Sequence, residues 1–478
     1  MNGWTDDAHY FEETINISRV KKLLDNVVSA NGVPKALEGM KWLLAQISKG
    51  RDVSDLFSSV VKIVSTKSVE LKKMVYMFLV HYVDANKTCR ELALLAINSY
   101  QKDLADRNQL VRALALRVLT SFRVPEICQI QLLAMRKCAT DRSPFVRKTT
   151  AHSVPKLYVA RKSLKKDLEE ILVTLFDDRE TMVLGSAMAA FVEVCPERHD
   201  MIHPHFRKFC KLLADLDEWG QIVMLNQLTH YARTQFRKPS LFSSSSSSAV
   251  KKETSIKNFY ADDDDDSNQD SPDKEPTSPQ ENNTTTTTTQ EKMSTDHKLL
   301  LRSVLPLLRS RNSGVIVAVA SAYFYLGTEN PKTCRKIAQS LVRELRNHRE
   351  IAFVILQNIA QIAERWPESF RDNLCEFYVN VSDATFVRNA KLRVLLCLTN
   401  ESNVTSILRE LQHYCKDPDD NFVVSAIRTV GRVAEKIPKV SNRVLRGLMM
   451  LIRGRSEKIV DAAVVVIRRL LRRDPSGT

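Results

Sequence analysis

Ten times along this chain, apolar residues recur three, four or seven places apart, which sets them on one face of a helix. Val387, Ala390, Val394 and Leu395 show the pattern plainly, as do Val423, Ala426, Ile427 and Val430, and Val460, Ala463, Val464 and Ile467. The leading residues of the first half are Leu71, Val111, Val146, Val183 and Ile222, with steps of 40, 35, 37 and 39. Those of the second half are Val315, Ile351, Val387, Val423 and Val460, with steps of 36, 36, 36 and 37. One helix pair of this length cannot bury its apolar face alone, but stacked neighbours can. The period therefore predicts an all-α, HEAT/armadillo-like solenoid, a superhelix of helix pairs. Such an architecture holds other molecules together more readily than it encloses a reactive cleft.

Composition agrees with that architecture. Apolar residues make up 44% of the 478, enough for a continuous core, while 12 Gly and 16 Pro are too few for the turns of an all-β chain. Nine cysteines stand singly, without a C-x-x-C pair, which reads as reduced thiols rather than a disulfide framework or zinc site. The stretch from Met1 to Tyr10 is polar and acidic, unlike a secretory signal, and no run reaches the ~18 uncharged residues of a membrane span. A cytosolic or nuclear protein with only peripheral membrane contact is expected.

Charge divides the chain into three. Residues 1–242 carry 36 basic and 27 acidic groups, residues 243–294 carry 5 and 11, and residues 295–478 carry 30 and 18. The outer segments read as helical-repeat arms. The middle one holds six serines (243–248), five aspartates (262–266) and six threonines (284–289), and is expected to be disordered for want of apolar surface. It is either a loop in one array or a linker between two arms. The basic arms attract anionic lipid, acidic protein segments or nucleic acid.

Several repeats open on helix-start signals. Asp141-Arg142-Ser143-Pro144 places a capping hydroxyl before a first-turn proline, and Asp417-Pro418-Asp419-Asp420 supplies acids to the next amino end. Pro125, Pro155, Pro196 and Pro438 are expected to stop or bend helices. No polar cap follows the last apolar helix, so further repeats are expected beyond Arg472-Arg473.

Chemistry finds little support. Walker A, dinucleotide-binding and G-x-S-x-G patterns are absent, and no cofactor is expected. His199, His203 and His205 with Cys195 and Cys210 do not have zinc-ligand spacing, and read as a helix junction. Asp177-Asp178 and Asp419-Asp420 read as caps. The densest basic cluster is Arg161, Lys162, Lys165 and Lys166; Arg19 with Lys21-Lys22, and Arg468-Arg469 with Arg472-Arg473, are others. Each is either a solvated helix face or a contact for an acidic partner or membrane. The aromatic interleaving of single-strand nucleic-acid binders is missing, and no nucleic-acid partner is expected. In the acidic segment, Ser267 has Asp270 three residues on, and Ser271-Pro272 and Ser278-Pro279 are proline-directed sites. A phosphate at each would add about −1.5 to −2 charges.

Two stretches are more specific than the repeat itself: Asn108-Gln109-Leu110-Val111-Arg112-Ala113-Leu114-Ala115-Leu116-Arg117 and Ser143-Pro144-Phe145-Val146-Arg147-Lys148-Thr149-Thr150-Ala151. Together they resemble the paired signature of the amino-terminal trunk of β-type adaptins. Gln109 stands where many of that family have proline, a departure that points to the branch serving adaptor protein complex 3. Glu193-Val194-Cys195-Pro196, Glu218-Trp219-Gly220-Gln221 and Tyr231-Ala232-Arg233-Thr234-Gln235-Phe236 are similar too, and the likeness spans roughly residues 15–473. The resemblance implies a non-enzymatic large subunit of a heterotetrameric vesicle coat adaptor, with a second large, a medium and a small subunit. It further implies an Arf-type small GTPase, peripheral placement on Golgi and endosomal membranes, and sorting towards lysosomes and related organelles. Clathrin contact belongs to the family's hinge and appendage, which this sequence does not contain. A nuclear transport receptor is the main alternative; it usually needs an acidic inner surface, whereas these arms are basic. A phosphatase scaffold would need more uniform repeats.

Deleting residues 243–294 should leave the melting temperature nearly unchanged by calorimetry. A large fall would show that this segment packs against the arms.

Overall fold

The computed structural model describes residues 17–25, 32–236, 293–327, 330–452 and 456–473. Among them the secondary structure is helical throughout, with no strand. The ten leading residues each fall within the first turn or so of a helix. These register helices are α1 (Val69–Tyr82), α2 (Gln109–Leu119), α3 (Pro144–Ala160), α4 (Thr181–Val194) and α5 (Glu218–Gln235). They continue as α6 (Ser313–Leu326), α7 (Arg349–Arg365), α8 (Thr385–Leu398), α9 (Asp420–Lys436) and α10 (Glu457–Arg473). Each packs on the next, and a second row of companion helices, among them Cys128–Ala139, Lys165–Phe176 and Pro331–Glu344, packs alongside.

The reason is the apolar face. Val146, Val183, Val315 and Val423 are all completely buried, and the core they join runs as one cluster from Val20 to Leu470. At about 1.5–3 kcal/mol for each fully buried aliphatic or aromatic side chain, neighbour contact dominates the stability of every repeat. Where helices come closest, small residues meet: a Cβ on Gly185 of α4 would lie 3.2 Å from the Gly220 Cα of α5.

Polar groups lock the register. Arg112 of α2 donates to both Asp141 carboxylate oxygens at 2.8 Å and to the Asp106 and Arg107 carbonyls of its own turn at 3.0 Å. One repeat on, Arg147 donates to Asp178 and to the Asp141 and Arg142 carbonyls, at 3.0, 2.7 and 3.1 Å. Arg388 of α8 does the same with Asp417 and the Asp383 and Val381 carbonyls. Nearer the amino end, Lys72 of α1 donates to both Asp103 oxygens at 2.7 Å, and Tyr76 donates to the same carboxylate. Burial, and then Asp103, raises the Tyr76 pKa, which keeps the phenol a donor.

One expectation needs correction. The Ser143 hydroxyl does not cap α3; it donates instead to Gln109 Oε1 at 2.6 Å, joining neighbouring helix starts, while Asp141 Oδ1 accepts from the Ser143 N–H at 2.8 Å. Pro155 does not stop α3, which continues to Ala160. Of the paired acids, Asp419 caps α9 by accepting from the Asn421 N–H at 3.0 Å and Asp178 accepts from the Glu180 N–H at 3.1 Å just ahead of α4, whereas Asp177 stands at the carboxyl end of the helix Lys165–Phe176.

Either side of residues 237–292 the stack is closed by direct contact. α5 packs on α6, Asn312 Nδ2 donates to Glu218 Oε2 at 2.9 Å, and the Arg233 guanidinium lies 4.2 Å above the Tyr325 ring. Phe236 stacks on buried His297 at 5.3 Å, and His297 Nε2 donates to the Leu326 carbonyl at 2.9 Å.

Burial pushes the Asp178 carboxyl up, but the hydrogen bonds from Arg147 and from the Glu180 N–H outweigh it, so its pKa is lowered. A carboxyl lowered on folding contributes stability above its unfolded value of about 3.9, and that contribution is lost as pH falls through the folded value. Arg147→Met should therefore cost about 1.5–3 kcal/mol at neutral pH. Its deficit against the wild type should narrow below about pH 4 in denaturant titrations.

Candidate docking surface

The cluster at 161–166 is built by two buried leucines. Arg161 ends α3 with an extended backbone (φ −151°, ψ 96°), and its guanidinium reaches the Pro125 carbonyl at 3.4 Å. A single turn over Lys162–Leu164 then leads into the helix Lys165–Phe176. Leu164 and Leu168 point into the core, which leaves Arg161, Lys162 and Lys166 exposed and Lys165 half-exposed. The four candidates are thus brought together in space, at the carboxyl end of α3.

Nearby acids do not neutralise them. Asp167 and Glu170 are held by Arg136 at 2.6 and 3.0 Å, and Glu169 by Arg198 at 2.7 Å, all from adjacent repeats. Lys162, Lys165 and Lys166 have no ion-pair partner among the described residues. Local positive charge is therefore left facing solvent, the arrangement that attracts an anionic surface.

The other basic runs differ. Arg469 pairs with Glu435 at 2.5 Å and Arg473 donates to the Glu435 carbonyl at 2.6 Å, so half of the closing run braces α10 on α9. Ser267, Ser271 and Ser278 lie outside the described residues.

The histidines and cysteines of the 195–210 stretch find structural surroundings. Among the described residues no group of three or more His, Cys, Asp or Glu side chains is placed to hold a metal ion. Instead His203 Nδ1 bonds the Tyr231 hydroxyl at 2.5 Å, His205 sits 3.7 Å from Asp177, and His199 packs 5.3 Å from His230. Burial pushes the Cys195 and Cys210 thiols up to about 12, which keeps them protonated and poorly nucleophilic. No helix among the described residues is long and apolar enough to cross a membrane.

Sequence reasoning missed the arginine–aspartate rungs. The signal was there, since Val-Arg recurs at 111–112, 146–147 and 387–388 with an aspartate 29 to 31 residues on.

Comparison with known proteins places the array. Residues 13–477 match the family described as the adaptin N terminal region. The mouse AP-3 complex subunit beta-2 is 42% identical over 454 residues, which is 95% of this chain and 40% of that protein. The AP-3 complex subunit beta of Dictyostelium discoideum is 40% identical over 473 residues, 98% of this chain and 42% of that protein. The AP-1 complex subunit beta of the same organism is 29% identical over 482 residues. This chain thus spans about two fifths of the length of the curated relatives it matches. It also overlays a chain of a structure described as a homology model of the full-length AP-3 complex in an intermediate open conformation. The TM-score is 0.61 at 25% identity, over 98% of this chain and 72% of that one.

Proposed function

Since this chain belongs to the adaptin amino-terminal family, we propose that it is the trunk of a large subunit of a vesicle coat adaptor of the AP-3 type. Its work is to scaffold a second large, a medium and a small subunit in a heterotetramer. That complex, recruited by an Arf-type small GTPase, would sort cargo from Golgi and endosomal membranes towards lysosomes and related organelles. The observation that carries this reading is 42% identity to an AP-3 β subunit over 95% of the chain, on an array with broad lateral faces. Contact with clathrin is not part of the proposal.

The physical fit lies in the surfaces. A stack of helix pairs leaves its faces and turn edges free along its whole length, so several subunits can dock side by side. The lysine cluster beyond α3 is read as a membrane contact, each lysine near an anionic bilayer contributing about 1 kcal/mol.

Purification of the tagged chain from cells should recover medium and small adaptor subunits in stoichiometric amounts. Recovery of a Ran-type GTPase or of phosphatase subunits in their place would overturn the assignment. Charge reversal in K162E/K165E/K166E should weaken binding of the complex to phosphatidylserine vesicles on the order of a hundredfold while sparing the melting temperature. Unchanged vesicle binding would remove the lipid-facing role from this cluster.

A further inference from the structure

Three successive register helices begin alike. Arg107, Arg142 and Arg179 stand exposed in the turns just before α2, α3 and α4, and their side chains have no hydrogen-bond or ion-pair partner among the described residues. Three residues after each comes an exposed apolar side chain: Leu110 at 49%, Phe145 at 41% and Met182 at 44%. Trp219, second in α5 as those three are second in their helices, extends the row and is 76% exposed.

These helix starts lie side by side, as the Ser143–Gln109 hydrogen bond and the close approach of Gly185 to Gly220 require. Two parallel rows, one cationic and one apolar, therefore run along one turn edge with a step of roughly 8–10 Å, the distance between packed helices. The aspartates of the same turns are already taken, Asp141 by Arg112 and Asp178 by Arg147. The exposed arginines are thus spare to the fold.

We infer that this edge seats an acidic amphipathic helix of a partner protein. Residues seven apart on a helix recur on one face every ~10.5 Å, close to the step of both rows, and about 20 residues span all four rungs. Guanidinium groups pair bidentately with carboxylates, and the apolar row supplies the anchoring face. A bilayer fits less well. Asp106, Glu180, Asp217 and Glu218 stand exposed among the arginines, so the summed charge that a lipid surface senses within a Debye length is not positive. A helix can set its carboxylates at the arginines and away from those acids. The edge is also distinct from the lysine cluster, which lies at the other end of α3, about 25 Å away along 17 residues.

The test uses the full chain and a labelled synthetic helix of about 21 residues, three heptads with Leu and Glu on one face. Its control carries Lys for Glu. Fluorescence anisotropy should show saturable binding of the acidic helix alone, weakened about tenfold or more in R107E/R142E/R179E. Phe145→Ser with Met182→Ser should weaken it as well, at unchanged melting temperature. If the charge reversals disturb folding, the neutral R107Q/R142Q/R179Q chain carries the same expectation. No saturable binding, equal binding of the lysine control, or full affinity in the variants overturns the proposal. So does a defect of the same variants confined to phosphatidylserine vesicles or to self-association in sedimentation, which would assign the edge to a bilayer or a second copy.

Discussion

An apolar helix face that only the next helix can cover sets the form of this molecule. Val146, Val183 and Val423 are buried because a neighbour lies over each of them, and that neighbour is buried by the one after it. Stability in such a line is a sum of repeat and interface terms rather than the property of one centre. What the line creates is perimeter, the kind of surface on which the proposed scaffold role draws.

Charge is handled in keeping with this. Inside the turns, Arg112 and Arg147 bond the carbonyls of one repeat and the carboxylate of the next, which fixes the offset between adjacent helices. With those acids occupied, nearby arginines and lysines are left facing solvent. Two groups of them lie at opposite ends of α3, one in the turns ahead of α2, α3 and α4 and one in the segment after α3. The 17 residues of α3, about 25 Å long, thereby keep two chemically different rims apart.

Much of this was legible in the residues. The ten leading positions found the register helices because burial imposes a helical period on apolar residues, and Asp178 and Asp419 found helix starts because short carboxylates satisfy free N–H groups there. The failures have equally physical causes. Ser143 has the chemistry of a cap, but a better acceptor, Gln109, arrives from the neighbouring helix, and no local pattern contains that helix. Pro155 lies within α3, so of the stop or bend that local rules allow there the stop does not occur. Of the site, the clustering of Arg161, Lys162, Lys165 and Lys166 was visible, since they are close in sequence. The absence of ion-pair partners for the three lysines was not, because Arg136 and Arg198 reach Asp167, Glu170 and Glu169 from other repeats.

The contact of α5 with α6 has a consequence of its own. Phe236 on His297, Arg233 on Tyr325 and Asn312 on Glu218 join the helices on either side of residues 237–292 through side chains. These contacts are all made by residues outside that interval. Severed anywhere in that interval, the trunk would become a two-piece object whose parts find each other by shape.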